Sequence, residues 1–204
     1  AYLHVTAKVI NQETGLSTFI DLLPHINLID NYHYARNISL EENGYRFDLI
    51  APNNEYINIE FNQIGSHNLL NAVGAFSIAH YLGLDENKLI EALADFKGVN
   101  RRMDVFRLGN KIVIDDYAHH PSEINAVLNS IKDKYKDLKV GVIFQPHLYS
   151  RTQDQQEGFC RELSKVDRLI LLPIYAAREN PIDGFNTQSL IEKISHPHAE
   201  TSTK

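Results

Sequence analysis

Two short apolar runs, KVGVIFQP (139–146) and RLILLPIY (168–175), constrain the fold of this 204-residue chain more than any other feature. A strand that is apolar on successive residues keeps no polar face for water, so it reads as a parallel strand covered on both sides. The segments around them read as helices. PSEINAVLNSIKDKY places Ile124, Val127, Leu128 and Ile131 on one stripe, with Pro121 in the first turn where its missing N–H costs nothing. Thr152 and Gln155 suggest a capping box opening a helix that packs through Phe159 and Leu163. A further helix is expected over 189–194. MDVFRLG and KIVIDDY read as short strands around the Gly109-Asn110 turn. This alternation predicts a doubly wound α/β unit, whose ligands gather at the carboxyl ends of the strands.

Upstream of residue 98 the pattern is different. Tyr45–Ile50 and Tyr56–Phe61 alternate around Pro-Asn-Asn and read as a hairpin. Leu69, Leu70, Val73, Phe76, Ala79 and Leu82 fall at helical spacing and stop at Gly83. A second helix follows, with Asp85 as N-cap and Leu89, Ile90, Leu93 and Phe96 inward. The first 45 residues are the least legible; FIDLLPHINLID (19–30) is broken by Pro24. Gly98 is taken as the boundary between two domains, 1–98 and 99–204.

Composition narrows the partners. Twenty basic against twenty-six acidic residues, net charge −6, argues against a general nucleic-acid or membrane-surface binder. No apolar run approaches the ~20 residues that cross a bilayer. A single cysteine, Cys160, excludes an internal disulfide and fits a reducing cytosol, hence a cytoplasmic location.

Three strand ends carry the chemistry. The first gives Asp115, Asp116, Tyr117, His119 and His120; the second gives Gln145, His147, Tyr149, Ser150, Arg151 and Thr152; the third gives Tyr175, Arg178 and Glu179. A guanidinium grips a carboxylate or phosphate with two parallel hydrogen bonds, so Arg151 and Arg178 suit a nucleotide or amino-acid site. The bland alternative makes Asp115 or Asp116 a turn cap and His119 or His120 a helix cap. A metal-dependent hydrolase built on the Asp/His set is a third reading, weakened because adjacent histidines do not easily face one ion and no HExxH or cysteine pair supports them. Before the boundary, Gly65-Ser66-His67-Asn68 opens a helix with Asn71 one turn on, where free N–H groups and amide side chains can read a purine edge. Arg101-Arg102 taken alone is an ordinary solvated pair.

Taken in order, GSHNLLNAVGA, FKGVNRRMD, IDDYAHHPSEI, FQPHLYSRT and IYAARENPIDG resemble the Mur ligase family over about residues 65–190. DDYAHHP with FQPHLYSRT points to its alanine-adding branch. The resemblance implies a Rossmann-like doubly wound C-terminal domain that binds the amino acid, preceded by the tail of an α/β ATP-binding domain. It implies ATP and Mg2+ as cofactors, Mg2+ held largely by parts of the ligase outside this chain, and no metal site of the chain's own. The implied substrates are UDP-N-acetylmuramate and L-alanine in peptidoglycan synthesis. ATP phosphorylates the sugar-nucleotide carboxylate, the amine attacks the acyl phosphate, and ADP and phosphate leave.

Residue by residue, the resemblance puts His67, Asn68 and Asn71 at the adenine end of ATP, Arg102 near its phosphates and Asp116 on the ribose hydroxyls. It puts Tyr117, His119, His147 and Arg151 around the incoming amino acid, with His119, His147, Arg151 and Arg102 as the catalytic set. Two departures stand out: Leu148 occupies a position where the family often has arginine, and no Gly-x-x-Gly-Lys-Ser/Thr phosphate loop occurs. The expectation is therefore a fragment, inactive alone. The alternatives are a ligase of recycled peptide to UDP-N-acetylmuramate and a non-catalytic nucleotide- or amino-acid-binding module.

Overall fold

A computed structural model describes residues 33–202 and, as backbone alone, residues 6–10 and 17–21. Apart from its first three residues, FIDLLPHINLID lies outside the described residues. The chain divides into two compact units, Ala1–Asp115 and Asp116–Lys204.

The first unit is built on a five-stranded sheet of β1 (Thr6–Ile10), β2 (Ser17–Asp21), β3 (His33–Leu40), β4 (Tyr45–Ile50) and β5 (Glu55–Phe61), in the order β2-β1-β3-β4-β5. Only β1 and β3 pair parallel. The expected hairpin is β4–β5, and its inward residues Phe47, Leu49, Ile59 and Phe61 are buried, as alternation requires. Against them pack Leu69, Ala72, Val73 and Phe76 of α1 (Ser66–Tyr81). Helix α1 ends at Gly83, where φ of 78° suits a residue without Cβ. Helix α2 (Glu86–Asp95) is capped by Asp85, whose side chain accepts from Lys88 N–H at 3.0 Å. Leu89, Ile90 and Leu93 close the core edge, and Phe96 stacks on Phe61 at 6.2 Å. Strands β6 (Asp104–Leu108) and β7 (Lys111–Asp115) form a separate antiparallel hairpin turning at Gly109. This hairpin falls in the first compact unit, which runs to Asp115.

In the second unit, α3 (Pro121–Lys134) leads to β8 (Gly141–Phe144), the helix pair α4 (Tyr149–Asp154) and α5 (Gln156–Leu163), β9 (Arg168–Leu171), α6 (Thr187–Ile191) and β10 (Ala199–Thr201). The strands are parallel in the order β10-β9-β8. Leu169 and Leu171 of β9 are fully buried among Ile124 and Leu128 of α3, Phe159 and Leu163 of α5, and Leu190. At 1.5–3 kcal/mol per large apolar side chain, this cluster is the main source of the unit's stability (about that range each).

The α/β class is as expected, but several details differ. Among the described residues no strand pairs on the far side of β8, and β7 pairs antiparallel with β6. As an edge strand, β8 leaves Ile143 69% exposed, where coverage on both faces is expected from its apolar sequence. The capping box at Thr152 is also overturned. Helix α4 begins three residues earlier, and Thr152 is fully buried inside it, its hydroxyl donating to the Leu148 carbonyl at 2.6 Å. Helix α6 starts at Thr187 because Asn186 caps it, accepting from Ser189 N–H at 2.9 Å.

Candidate functional site

The carboxyl ends of β8 and β9 are joined beyond the sheet. His147 and Tyr175 form a parallel bridge in which Tyr175 N–H donates to the Pro146 carbonyl at 2.8 Å and Leu148 N–H donates to the Tyr175 carbonyl at 2.9 Å. Their rings lie 5.3 Å apart. His147 Nδ1 is buried and has no hydrogen-bond partner among the described residues. One turn further, the Glu179 carboxylate accepts from Ser150 N–H at 2.9 Å and from the Ser150 hydroxyl. These bonds from Ser150, helped by the Tyr149 backbone and the Arg151 charge, hold the Glu179 carboxyl below the usual range. Gln145 donates to the Pro173 carbonyl at 3.2 Å. The second and third of the chemistry-bearing strand ends thus form one rim. Arg151 sits half-buried in the first turn of α4 and makes no ion pair among the described residues; Arg178 is exposed.

The loop before α3 is organised by its own bonds. Asp116 accepts from Ala118 N–H at 2.7 Å, which is the turn cap the bland reading anticipates. His120 is the N-cap of α3: its Nδ1 accepts from Ser122 N–H at 3.3 Å, and Glu123 accepts from the His119 and His120 N–H groups at 2.9 and 3.2 Å. His120 is therefore structural. His119 differs, because its Nδ1 lies 2.9 Å from the Tyr117 carbonyl. A carbonyl only accepts, so Nδ1 carries the proton and the lone pair is left on Nε2. The Tyr117 and His119 rings lie 5.2 Å apart, and Tyr117 is 43% exposed.

In the first unit the residues read as contacting the nucleotide lie at the start of α1 and in the turn before β6. The Asn68 amide donates to the Ile64 carbonyl at 2.8 Å, which leaves its oxygen as the group open to a ligand. His67 curls back over Gly65, where φ is 98° and a Cβ would come within 2.8 Å of the imidazole. Asn71 is exposed one turn on. Of the arginine pair, Arg101 is engaged: Nε lies 3.5 Å from Asp115, and its N–H donates to Asp104. Arg102 is exposed and makes no ion pair among the described residues.

A third network went unread in the sequence. Glu86, at the start of α2, accepts from Asn54 at 2.9 Å and from His80 Nε2 at 2.8 Å, while His80 Nδ1 meets His33 Nε2 at 2.8 Å. Because Glu86 only accepts, His80 donates to it through Nε2. Burial, with Glu86 alongside, pushes the Tyr56 hydroxyl up to about 12. Its members come from four separate segments, so no local spacing announces it. Among the described residues no group of three or more His, Cys, Asp or Glu is arranged to hold a metal ion. The donors that favoured a hydrolase, Asp116 and His120, are engaged as caps.

A profile described as "Mur ligase, glutamate ligase domain" matches residues 101–204, and the chain belongs to the Mur ligase family. Within that family its relatives are specific. It is 44% identical over 173 residues to UDP-N-acetylmuramate–L-alanine ligase of Christiangramia forsetii, covering 84% of this chain and 38% of that one. It is 42% identical over 168 residues to the same ligase of Flavobacterium psychrophilum, covering 82% and 38%. The chain thus spans a little over a third of the length of these curated relatives. The crystal structure of UDP-N-acetylmuramate–alanine ligase from Thermotoga maritima superposes with a TM-score of 0.66 at 26% identity, covering 84% of this chain and 37% of that one. A second profile, "Fe2+ transport protein", matches residues 1–67, a stretch that the 84% alignment to the ligase necessarily enters.

Proposed function

We propose that this chain supplies the amino-acid-receiving part of an ATP-dependent, amide-forming ligase that joins L-alanine to UDP-N-acetylmuramate in the cytoplasm. Residues 99–204 would form that domain and residues 1–98 the adjoining part of the ATP domain. The observation that carries the reading is Arg151. Its guanidinium makes no close ion pair among the described residues, yet it stands on a rim fixed by the His147–Tyr175 bridge and the Ser150–Glu179 bonds. A planar guanidinium in that state is matched to an amino-acid carboxylate.

The chemistry asked of the chain follows from its atoms. An amino acid arrives as an ammonium and must lose a proton before its nitrogen can attack. His119, with Nδ1–H tied to the Tyr117 carbonyl, offers the Nε2 lone pair for that proton. Amine attack forms the C–N bond as the acyl C–O bond breaks and phosphate departs. Holding the two reactants in attack geometry is the largest contribution that Arg151, Tyr117 and His147 would make. Arg102 would balance charge at the phosphoryl group. His67, Asn71 and the Asn68 oxygen would meet the adenine, and Asp116, held in an Asx turn, would meet the ribose. ATP supplies the activating phosphoryl group. The described residues offer no Mg2+ ligand set of their own.

A non-catalytic nucleotide- or amino-acid-binding module is the second reading. Segment exchange separates the two. Residues 33–202 placed into the Christiangramia forsetii ligase should give phosphate release that requires ATP, L-alanine and UDP-N-acetylmuramate, and Arg151→Ala should abolish it. The isolated chain should release none. A folded chimera without activity, or phosphate release by the isolated chain, would overturn the proposal.

A further inference from the structure

Helix α4 has no capping side chain of its own. Its N-cap is Leu148, with φ 71° and ψ 135°, a conformation that residues with a Cβ rarely adopt. Leu148 is nevertheless pinned on both sides. Its N–H donates to the Tyr175 carbonyl, and its carbonyl accepts from Thr152 N–H at 3.1 Å and from the buried Thr152 hydroxyl at 2.6 Å. What is missing is an acceptor for the free N–H groups of the first turn of α4, and Glu179 provides it from another loop. The two residues read as amino-acid ligands, His147 and Arg151, lie on either side of the strained residue.

We infer that Glu179 is a positioning residue for the amino-acid pocket. Its carboxylate, bonded to Ser150 at the head of α4, holds the His147–Arg151 turn in the one shape that presents both side chains to a single α-amino acid. Because the first turn of α4 already has its anion, the carboxylate of the incoming amino acid is left to Arg151. The inference rests on the proposed role of His147 and Arg151, but its core can be read without any ligand.

The test uses the whole 204-residue chain, isotope-labelled, as wild type and as Glu179→Gln, Glu179→Asp and Ser150→Ala. In the free protein, Glu179→Gln should change the HN–Hα coupling of Leu148 and shift the His147 ring and Arg151 Nε–H resonances, and Glu179→Asp should restore part of the change. In titrations with L-alanine, Glu179→Gln should weaken binding about tenfold, as expected for loss of an organising bond to a charged group. Ser150→Ala combined with Glu179→Gln should cost little more than Glu179→Gln alone, since the two act through one link. Unchanged Leu148, His147 and Arg151 signals in Glu179→Gln would overturn the inference, as would full additivity of the pair. If the wild-type chain showed no L-alanine binding, the ligase reading would fail, while the ligand-free signals would still decide the role of Glu179.

Discussion

Replacing Leu148 by glycine and by alanine gives opposite signs to two effects that usually agree. In most positions glycine is the poorer choice by about 0.5–1 kcal/mol, because it loses more backbone freedom on folding. At Leu148 the backbone sits at φ 71° and ψ 135°, where a Cβ costs about 1–3 kcal/mol. Both substitutions remove the same half-buried side chain, worth about 1 kcal/mol at half the full burial value. That loss cancels in the comparison. The difference is then strain relief minus glycine's entropy cost, a range of about 0–2.5 kcal/mol, so Leu148→Gly should be more stable than Leu148→Ala by about 1 kcal/mol. Relative to wild type, Leu148→Gly should be close to neutral and Leu148→Ala destabilised by about 1 kcal/mol. Urea unfolding followed by the near-ultraviolet signal of the tyrosines reads this directly, provided the slope is unchanged between variants. An alanine variant as stable as the glycine variant, or more so, would show that Leu148 carries no strain and would remove the reason for its two-sided pinning.

Two further outcomes follow from the packing and charge. Asp48, Glu86 and Glu179 all lie below their usual values, held there by hydrogen bonds from Asn58, Tyr56 and Ser150 respectively. Burial alone would push the Glu162 carboxyl up, but bonds from Lys165 and Arg161 bring it below the ordinary range as well. A depressed folded-state value means stability that is complete above the unfolded value, about 4.3 for Glu, and lost as pH falls through the folded value. Melting temperature should therefore fall steeply below about pH 4.3, and Glu162→Gln should flatten part of that slope; a melting temperature independent of acid would contradict these bonds. Gly44→Ala should destabilise the first unit by at least about 2 kcal/mol, because its Cβ would fall 2.0 Å from the Phe61 carbonyl oxygen and 2.7 Å from Gln63 N. A neutral variant in thermal melts would mean that this close approach does not exist.

Much of the architecture was legible because local signals and packing agree. The β4–β5 hairpin, the Asp85 cap, the Gly83 stop and the Pro121 helix start are all set within a few residues of sequence. Pairing across the chain was less legible. The β8 run is apolar enough for a doubly covered strand, yet apolarity alone does not say which neighbour arrives, and Ile143 is open. Thr152 misled because a threonine three residues before a glutamine mimics a cap, whereas the start of α4 is fixed by Glu179 from another loop. In the candidate site, the sequence singled out the rim residues by type. It did not separate His119 from His120, since the Tyr117 carbonyl at one ring and the Ser122 N–H at the other, placed by the α3 turn, decide which imidazole keeps its Nδ1 proton.

The amino-acid pocket is tested most directly by a nuclear magnetic resonance titration of the labelled chain with L-alanine, with D-alanine as control. Shifts that saturate with L-alanine at His147, Arg151, Tyr117 and His119, and that vanish in Arg151→Ala while its fold persists, are the predicted result. Saturating shifts confined to other residues, or shifts that survive Arg151→Ala undiminished, would contradict it.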